Sequence, residues 1–261
     1  MIKVLKKSAS YILANAVLIL FSLSCVFPII WMIYSSLKTS PEFNRSIIAL
    51  PETPMVENYV NAIRISHMGT YFGNSVFNAL ISLIFVLIIS FILGYFISRF
   101  RFMGRKLMYL IILAGMLIPI PSLMIPLFIQ FKSLGLFDRK FTLIIPYVAF
   151  GLPFSTFLTE SYIKSIPIEI EEAAVIDGSG FMRMLFTIVM PLSIPILTTI
   201  SILQFFNKWN EFPFALILVN SEHLKTIPLG LINFSSQYST DYPMKMAALT
   251  LAILPVLIIY L

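Results

Sequence analysis

The chain alternates long apolar runs with short polar interruptions, and the lengths of the runs determine what they can form. No acid or base occurs from Ser8 to Leu37 or from Met68 to Ser98, and Leu107–Phe131 is equally free of charge. A helix needs roughly 20 residues to cross a hydrocarbon core. In lipid, all backbone polar groups must be satisfied internally, so spans are helices or closed barrels. These runs are too long for strands. The pattern predicts an all-α integral membrane protein with one domain over 1–261. Six transmembrane helices are expected at about 8–37, 68–98, 107–131, 141–163, 192–218 and 246–261. The last run has 16 residues and stops without a polar end, which predicts a span continuing past Leu261.

Composition agrees. The chain is 59% hydrophobic and 11% charged, against about 25% charged in soluble domains, and mean hydropathy is +0.94. A net charge of +6 does not point to nucleic acid, because the basic residues are scattered over short loops and form no face that could track phosphates. They are better read as topology signals. The single cysteine, Cys25, can form no intrachain disulfide, and His67 and His223 are far apart, so no metal cluster is visible. No convergent catalytic set appears, and an enzyme is not expected. Lys3, Lys6 and Lys7 precede the first run, but that run is too long for a signal peptide and no small-residue cleavage site follows.

Orientation rests on local charge density. Three lysines lie in the first seven residues, and Arg99, Arg101, Arg105 and Lys106 crowd the loop after the second run. An even number of spans separates these segments, so they share one side, the cytoplasmic one. With Lys164 and Arg183 that side holds nine basic residues, against eight outside; density in the shortest segments decides. The longest outside segments, Lys38–His67 and Ser221–Lys245, are the candidates for contact with an external protein.

Pro119, Pro121, Pro126, Pro146, Pro153, Pro195 and Pro213 fall in the third to fifth runs. Each removes a backbone donor. Ordinary kinking explains them, but their density favours a wet cavity along the bundle. Lys208, Asn210 and Glu211 lie in the fifth run, where charged groups usually face a bundle interior or water. Two readings stand side by side. Lys208 and Glu211, at i and i+3, neutralise each other on one helix face, or Asn207, Trp209, Asn210 and Glu211 line a substrate path. Glu160 and Lys164 read as an i, i+4 pair near the headgroups.

The segment 164–190 is the chemically distinctive one. Glu169, Glu171, Glu172 and Asp177 fall within nine residues between apolar runs. Pro167 is tolerated only in a first helical turn, and the acids then sit at the positive helix end. Ile170, Ala173 and Ala174 share a small, flat face. Gly178 suits the left-handed residue ending the helix; Ser179 is placed to cap a second helix carrying Phe181, Leu185 and Ile188 on one side. An interfacial helix lying on lipid would be rich in Lys and Arg. An acidic, alanine-faced helix-turn-helix fits a protein groove instead.

Glu172-Ala173-Ala174, then Gly178, then Ile188-Val189-Met190-Pro191 resembles the EAA signature of permease subunits in bacterial ABC importers (binding-protein-dependent transport systems). Ile176-Asp177-Gly178 looks like the carbohydrate branch. Trp209-Asn210-Glu211-Phe212, Thr226-Ile227-Pro228-Leu229-Gly230-Leu231, and Ala247-Ala248 followed by Pro255 are similar to patterns of that branch, and the likeness to maltose-type permeases covers nearly the whole chain. Met190 stands where leucine is usual. The resemblance implies a permease subunit of an ATP-driven importer for a sugar or related polyol, working by alternating access, in the bacterial inner membrane. Glu171, Glu172, Ala173, Ala174, Asp177 and Gly178 would dock on an ATPase. Implied partners are a second permease, more readily a different chain than a copy, two ATPase subunits, a solute-binding protein and membrane lipid. No G-x-x-x-x-G-K-[ST] phosphate loop occurs, so ATP and magnesium are expected on the ATPase and no cofactor on this chain. The alternatives are an ion-coupled secondary transporter, which would need a buried relay, and an ABC permease for a non-sugar solute.

Overall fold

The structure, a computed structural model, describes residues 2–64, 67–234 and 241–260. Its helices are α1 (Ile2–Ser35), α2 (Ser40–Arg45), α3 (Glu57–Arg64), α4 (Met68–Arg99), α5 (Arg105–Ala114), α6 (Ile120–Ser133), α7 (Ile144–Ser165), α8 (Glu169–Ile176), α9 (Phe181–Leu192), α10 (Ile194–Trp209), α11 (Pro213–Leu218), α12 (Ile227–Gly230) and α13 (Tyr242–Tyr260). Among the described residues there is no strand, and the all-α class holds.

Three helices, at Leu13–Ser35, Met68–Arg99 and Tyr242–Ile259, are long and apolar enough to cross a membrane. Two bent pairs bring the number to five if each pair is one span. The expected count of six is not reproduced. The difference lies in α7, which is long enough at 22 residues. Tyr147, Ser155, Thr156, Thr159 and Glu160 dilute its apolar character, and all five are buried. Its polarity faces the protein.

The prolines act more as helix starts than as kinks. The expected third span is two pieces bent by 99° between Leu117 and Ile120. Ile118 and Pro119 are extended there, and Pro121 sits in the first turn of α6, where a missing N–H costs nothing. The expected fifth span starts at a bend and is broken once within. A 70° bend separates α9 from α10, and α10 ends at Trp209, with the chain helical again only from Pro213. Pro195 and Pro213 occupy the first turns of α10 and α11.

Two compact units are present, residues 1–69 with 231–257, and residues 70–230 with 258–261. In the first, the segment after α1 is held by its own side chains. Thr39 and Glu42 form a reciprocal capping box on α2. The Lys38 ammonium donates to the carbonyls of Ser46 and Ile47, 3.0 Å each, and Asn58 Nδ2 donates to those of Ser36 and Lys38 at 2.8 Å. Burial pushes the Lys38 pKa down, and nearby Glu42 draws it back up. Phe43 stacks on Tyr242 at 5.3 Å.

In the second unit, α4 and α7 pack at near-backbone distance. A Cβ on Gly94 would lie 2.8 Å from Thr159 Cβ and 3.0 Å from the Glu160 backbone nitrogen. Two hydrophobic clusters frame the unit. Phe91, Tyr95, Ile163, Ala174, Met184, Leu185 and Val189 form one beneath the acidic segment. Phe131, Leu143, Tyr147, Phe214, Ala215, Leu218 and Val219 belong to the other, beside the break after α10.

Candidate functional site

The acidic segment forms a helix, a tight turn and a second helix. Glu169, Glu171 and Glu172 lie in the first turn of α8. The helix ends in a reciprocal carbonyl cap: the Ser179 N–H donates to the Ala174 carbonyl at 2.9 Å, and that of Gly178 to the Val175 carbonyl at 3.0 Å. Gly178 is left-handed, φ +79°, as the turn requires. The cap of the second helix differs from expectation. Gly180, extended at φ −69° and ψ 161°, precedes α9, and no side-chain bond caps it; Ser179 is occupied in closing α8.

The residues expected to dock divide between two faces. Glu172, Ala173, Asp177 and Gly178 are exposed, together with Val175 and Ile176. Ile176 is 86% exposed. Glu171 and Ala174 are buried, so the expected six-residue face is corrected to four outward residues. Ile170, Ala173 and Ala174 therefore do not form one face: Ala174 belongs to the core cluster, and Ile170 and Ala173 look outward.

Glu171 is the anchor of the segment. Arg99, the last residue of α4, donates from Nε to Glu171 Oε1 at 2.6 Å and from Nη2 to the Ile166 carbonyl at 2.8 Å. Tyr95 Oη donates to Glu171 Oε2 at 2.8 Å. The pair is largely buried, with 11% and 7% of the two side chains exposed. An aromatic cluster reinforces it: Phe181 lies 6.0 Å from Tyr95 and 6.2 Å from Phe100, and Phe96 stacks on Phe100 at 4.9 Å. The segment is thus tied to the end of α4 as well as to α7 and α10. Sequence reasoning missed this because α4 and α8 are 72 residues apart at the contact. The one available signal was an arginine at the end of an otherwise uncharged run.

The polar residues of the fifth run also redistribute. A cavity of about 460 Å³ is lined by Tyr147, Gly151, Phe154, Gln204, Asn207, Lys208 and Glu211, with Met116 and Ile118 from the α5–α6 break. Asn207 and Glu211 therefore reach it. Trp209 and Asn210 do not line it. Trp209 is buried, parallel to Phe205 at 5.5 Å and edge-on to Phe72 at 5.6 Å, and exposed Asn210 donates to the Phe206 carbonyl. Lys208 and Glu211 do not share a helix face, since α10 stops between them. Lys208 Nζ donates to Gln204 Oε1 at 2.6 Å, and Gln204 Nε2 to Ser155 Oγ and the Gly151 carbonyl. Glu211 caps α11, accepting from the Phe214 N–H at 2.5 Å and from Tyr147 Oη at 2.8 Å. Gly151 allows this approach, because a Cβ there would stand 2.9 Å from Gln204 Oε1. The Glu160–Lys164 ion pair is present as expected.

Of the two segments expected outside, Lys38–His67 and Ser221–Lys245, residues 65–66 and 235–240 lie outside the described residues. Asp138, in the loop between α6 and α7, holds the second segment. It accepts from the N–H groups of Asn220 and Ser221, both at 2.9 Å, and from Ser221 Oγ at 2.5 Å. Burial alone would raise the Asp138 pKa; these hydrogen bonds outweigh it and hold the carboxyl below its ordinary value.

Comparison with known proteins gives these features a family. Residues 87–261 match the family described as binding-protein-dependent transport system inner membrane component. The chain is 40% identical, over 90% of its length and 85% of the relative's, to a putative ABC transporter permease of Caldicellulosiruptor sp.. It is 35% identical to the diacetylchitobiose uptake system permease of Streptomyces coelicolor, over 95% of this chain and 83% of that one. It is 33% identical to the trehalose/maltose transport system permease of Thermococcus litoralis, over 93% and 88%. Among solved structures, a chain of a bacterial ABC transporter involved in import of the acidic polysaccharide alginate superposes with a TM-score of 0.84 at 25% identity, covering 97% of this chain and 95% of that one. The chain belongs to the binding-protein-dependent transport system inner membrane components and is a multi-pass permease subunit of an ABC importer, a transport component and not an enzyme.

Proposed function

We propose that this chain forms half of the translocation path for a sugar or related polyol and converts ATP-driven closure of a separate ATPase pair into alternating access. The outward face of the α8–α9 turn carries this reading. An isoleucine 86% exposed beside a valine 59% exposed, at the tip of a turn locked from beneath, supports insertion into a protein groove. Glu172, Ala173, Asp177 and Gly178 are the contact residues in this account. ATP and magnesium sit on the ATPase, and this chain binds neither. The N-terminus lies in the cytoplasm, on the side of Arg99, Arg101, Arg105 and Lys106. The relatives' names support a sugar cargo.

The 460 Å³ cavity is the segment of path that this chain contributes. Asn207, Lys208 and Glu211 offer donors and acceptors to hydroxyls, with Phe154 and Tyr147 as apolar walls. A second, different permease chain completes the path. A solute-binding protein docks on the opposite side, on Lys38–His67 and Ser221–Lys245.

Co-purification from cells expressing all subunits tests the docking. Glu172→Lys and Gly178→Pro are expected to abolish ATPase association while the permease still inserts. Association at the unsubstituted level in both variants would refute the docking role.

A further inference from the structure

Where α4 ends and α5 begins, a separate cavity of about 730 Å³ opens, lined by Ile97, Arg105, Lys106, Leu110, Glu160 and Lys164 among others. Its charges do not balance. Lys164 is paired with Glu160. Among the described residues, neither Arg105 nor Lys106 has a carboxylate within ion-pair distance. Both stand on the first turn of α5, whose cap residue Gly104 supplies no side-chain bond, so the open backbone donors of that turn add to the positive potential.

The next turns of the same helix change character. Leu107, Leu110 and Ile111, at i, i+3 and i+4, are 63%, 51% and 64% exposed. The helix therefore presents cations first and an apolar stripe below them. The level is that of the headgroups, because the uncharged run of α4 ends at Ser98, just before the cavity. A basic pocket at a membrane face, with a greasy wall leading into the bilayer, has the order of a phosphate above its acyl chains.

We propose that this cavity binds an anionic phospholipid, with the phosphate between Arg105 and Lys106 and an acyl chain along Leu107, Leu110 and Ile111. A zwitterionic lipid carries its own cation beside the phosphate and gains less from the same site. The cytoplasmic leaflet follows from the orientation proposed above; the binding depends on neither that orientation nor transport.

Native mass spectrometry of the complete importer, titrated with phosphatidylglycerol or phosphatidylcholine of equal chain length, tests the site. Phosphatidylglycerol is expected to be retained in preference. Removing one cation should weaken it about fivefold, and the Arg105→Gln/Lys106→Gln pair roughly thirtyfold, with phosphatidylcholine unchanged. The exchanged pair, Arg105→Lys with Lys106→Arg, should retain the lipid and guards against a folding defect in the glutamine variant. Equal retention of the two lipids, or undiminished phosphatidylglycerol in the glutamine pair, would overturn the proposal. Displacement of phosphatidylglycerol by an equal concentration of glycerol phosphate would also overturn it, by showing an anion site without a lipid component.

Discussion

Cutting the anchor of the acidic segment should loosen α8 selectively. Glu171→Met leaves the Arg99 guanidinium largely buried, with only the Ile166 carbonyl of its two partners. It also removes the acceptor of Tyr95. Breaking one side of a buried pair costs about 3–5 kcal/mol. If that cost falls on local opening of 166–180, amide exchange there should accelerate by roughly two to four orders of magnitude. Arg99→Met leaves the complementary orphan, a buried carboxylate, and should act similarly. The double variant replaces both charges by apolar groups of comparable length, so it should be less damaging than either single change. Hydrogen exchange of the assembled importer in nanodiscs, read peptide by peptide, measures this directly. Unchanged exchange in the single variants, or a double variant whose loss is the sum of the singles, would refute the anchoring argument.

Other consequences follow from particular contacts. Gly178→Ala forces a side chain into the left-handed region at a cost of about 1–2 kcal/mol, so ATP hydrolysis should respond less to loaded binding protein, as a coupled ATPase assay would register. Gly94→Val drives a side chain against the Thr159 side chain and the Glu160 backbone and should destabilise the permease by about 1–3 kcal/mol, seen as a lower melting temperature in detergent. The Asp138 pKa is depressed in the folded state, so its stabilisation is present above the unfolded value of about 3.9 and is lost as pH falls through the folded value. The Asn220 and Ser221 amides should lose exchange protection under such acidification, and Asp138→Asn should remove that pH dependence. Lys208→Met should alter the KM for uptake while ATPase association persists; an unchanged KM would count against the cavity as path.

Much of the architecture could be read from run length and charge. The uncharged stretches of α1 and α4, and the glycine at 178, announced themselves locally. What stayed hidden depended on partners distant in sequence. Hydropathy made α7 look like one more span, but whether Thr156 and Thr159 face lipid or protein is a property of the packed bundle. Lys208 and Glu211 have the right spacing for an ion pair only if the helix continues, and Pro213 starts a new helix two residues after Glu211 instead. Glu171 and Glu172 are adjacent and chemically alike, yet one is a tether and the other is exposed. The distinction is set by Arg99 and Tyr95 on another helix. The residues around Trp209 suggested a substrate path, but the indole is buried against Phe205 and Phe72, and Gln204 and Tyr147 face the cavity.

Uptake of a labelled oligosaccharide into proteoliposomes holding the complete importer, with ATP hydrolysis followed in the same vesicles, tests the coupling account most directly. Uptake and binding-protein-stimulated hydrolysis should both require the ATPase chains and should fall together in Glu172→Lys. Uptake that survives removal of the ATPase, or that follows a proton gradient in place of ATP, would contradict it.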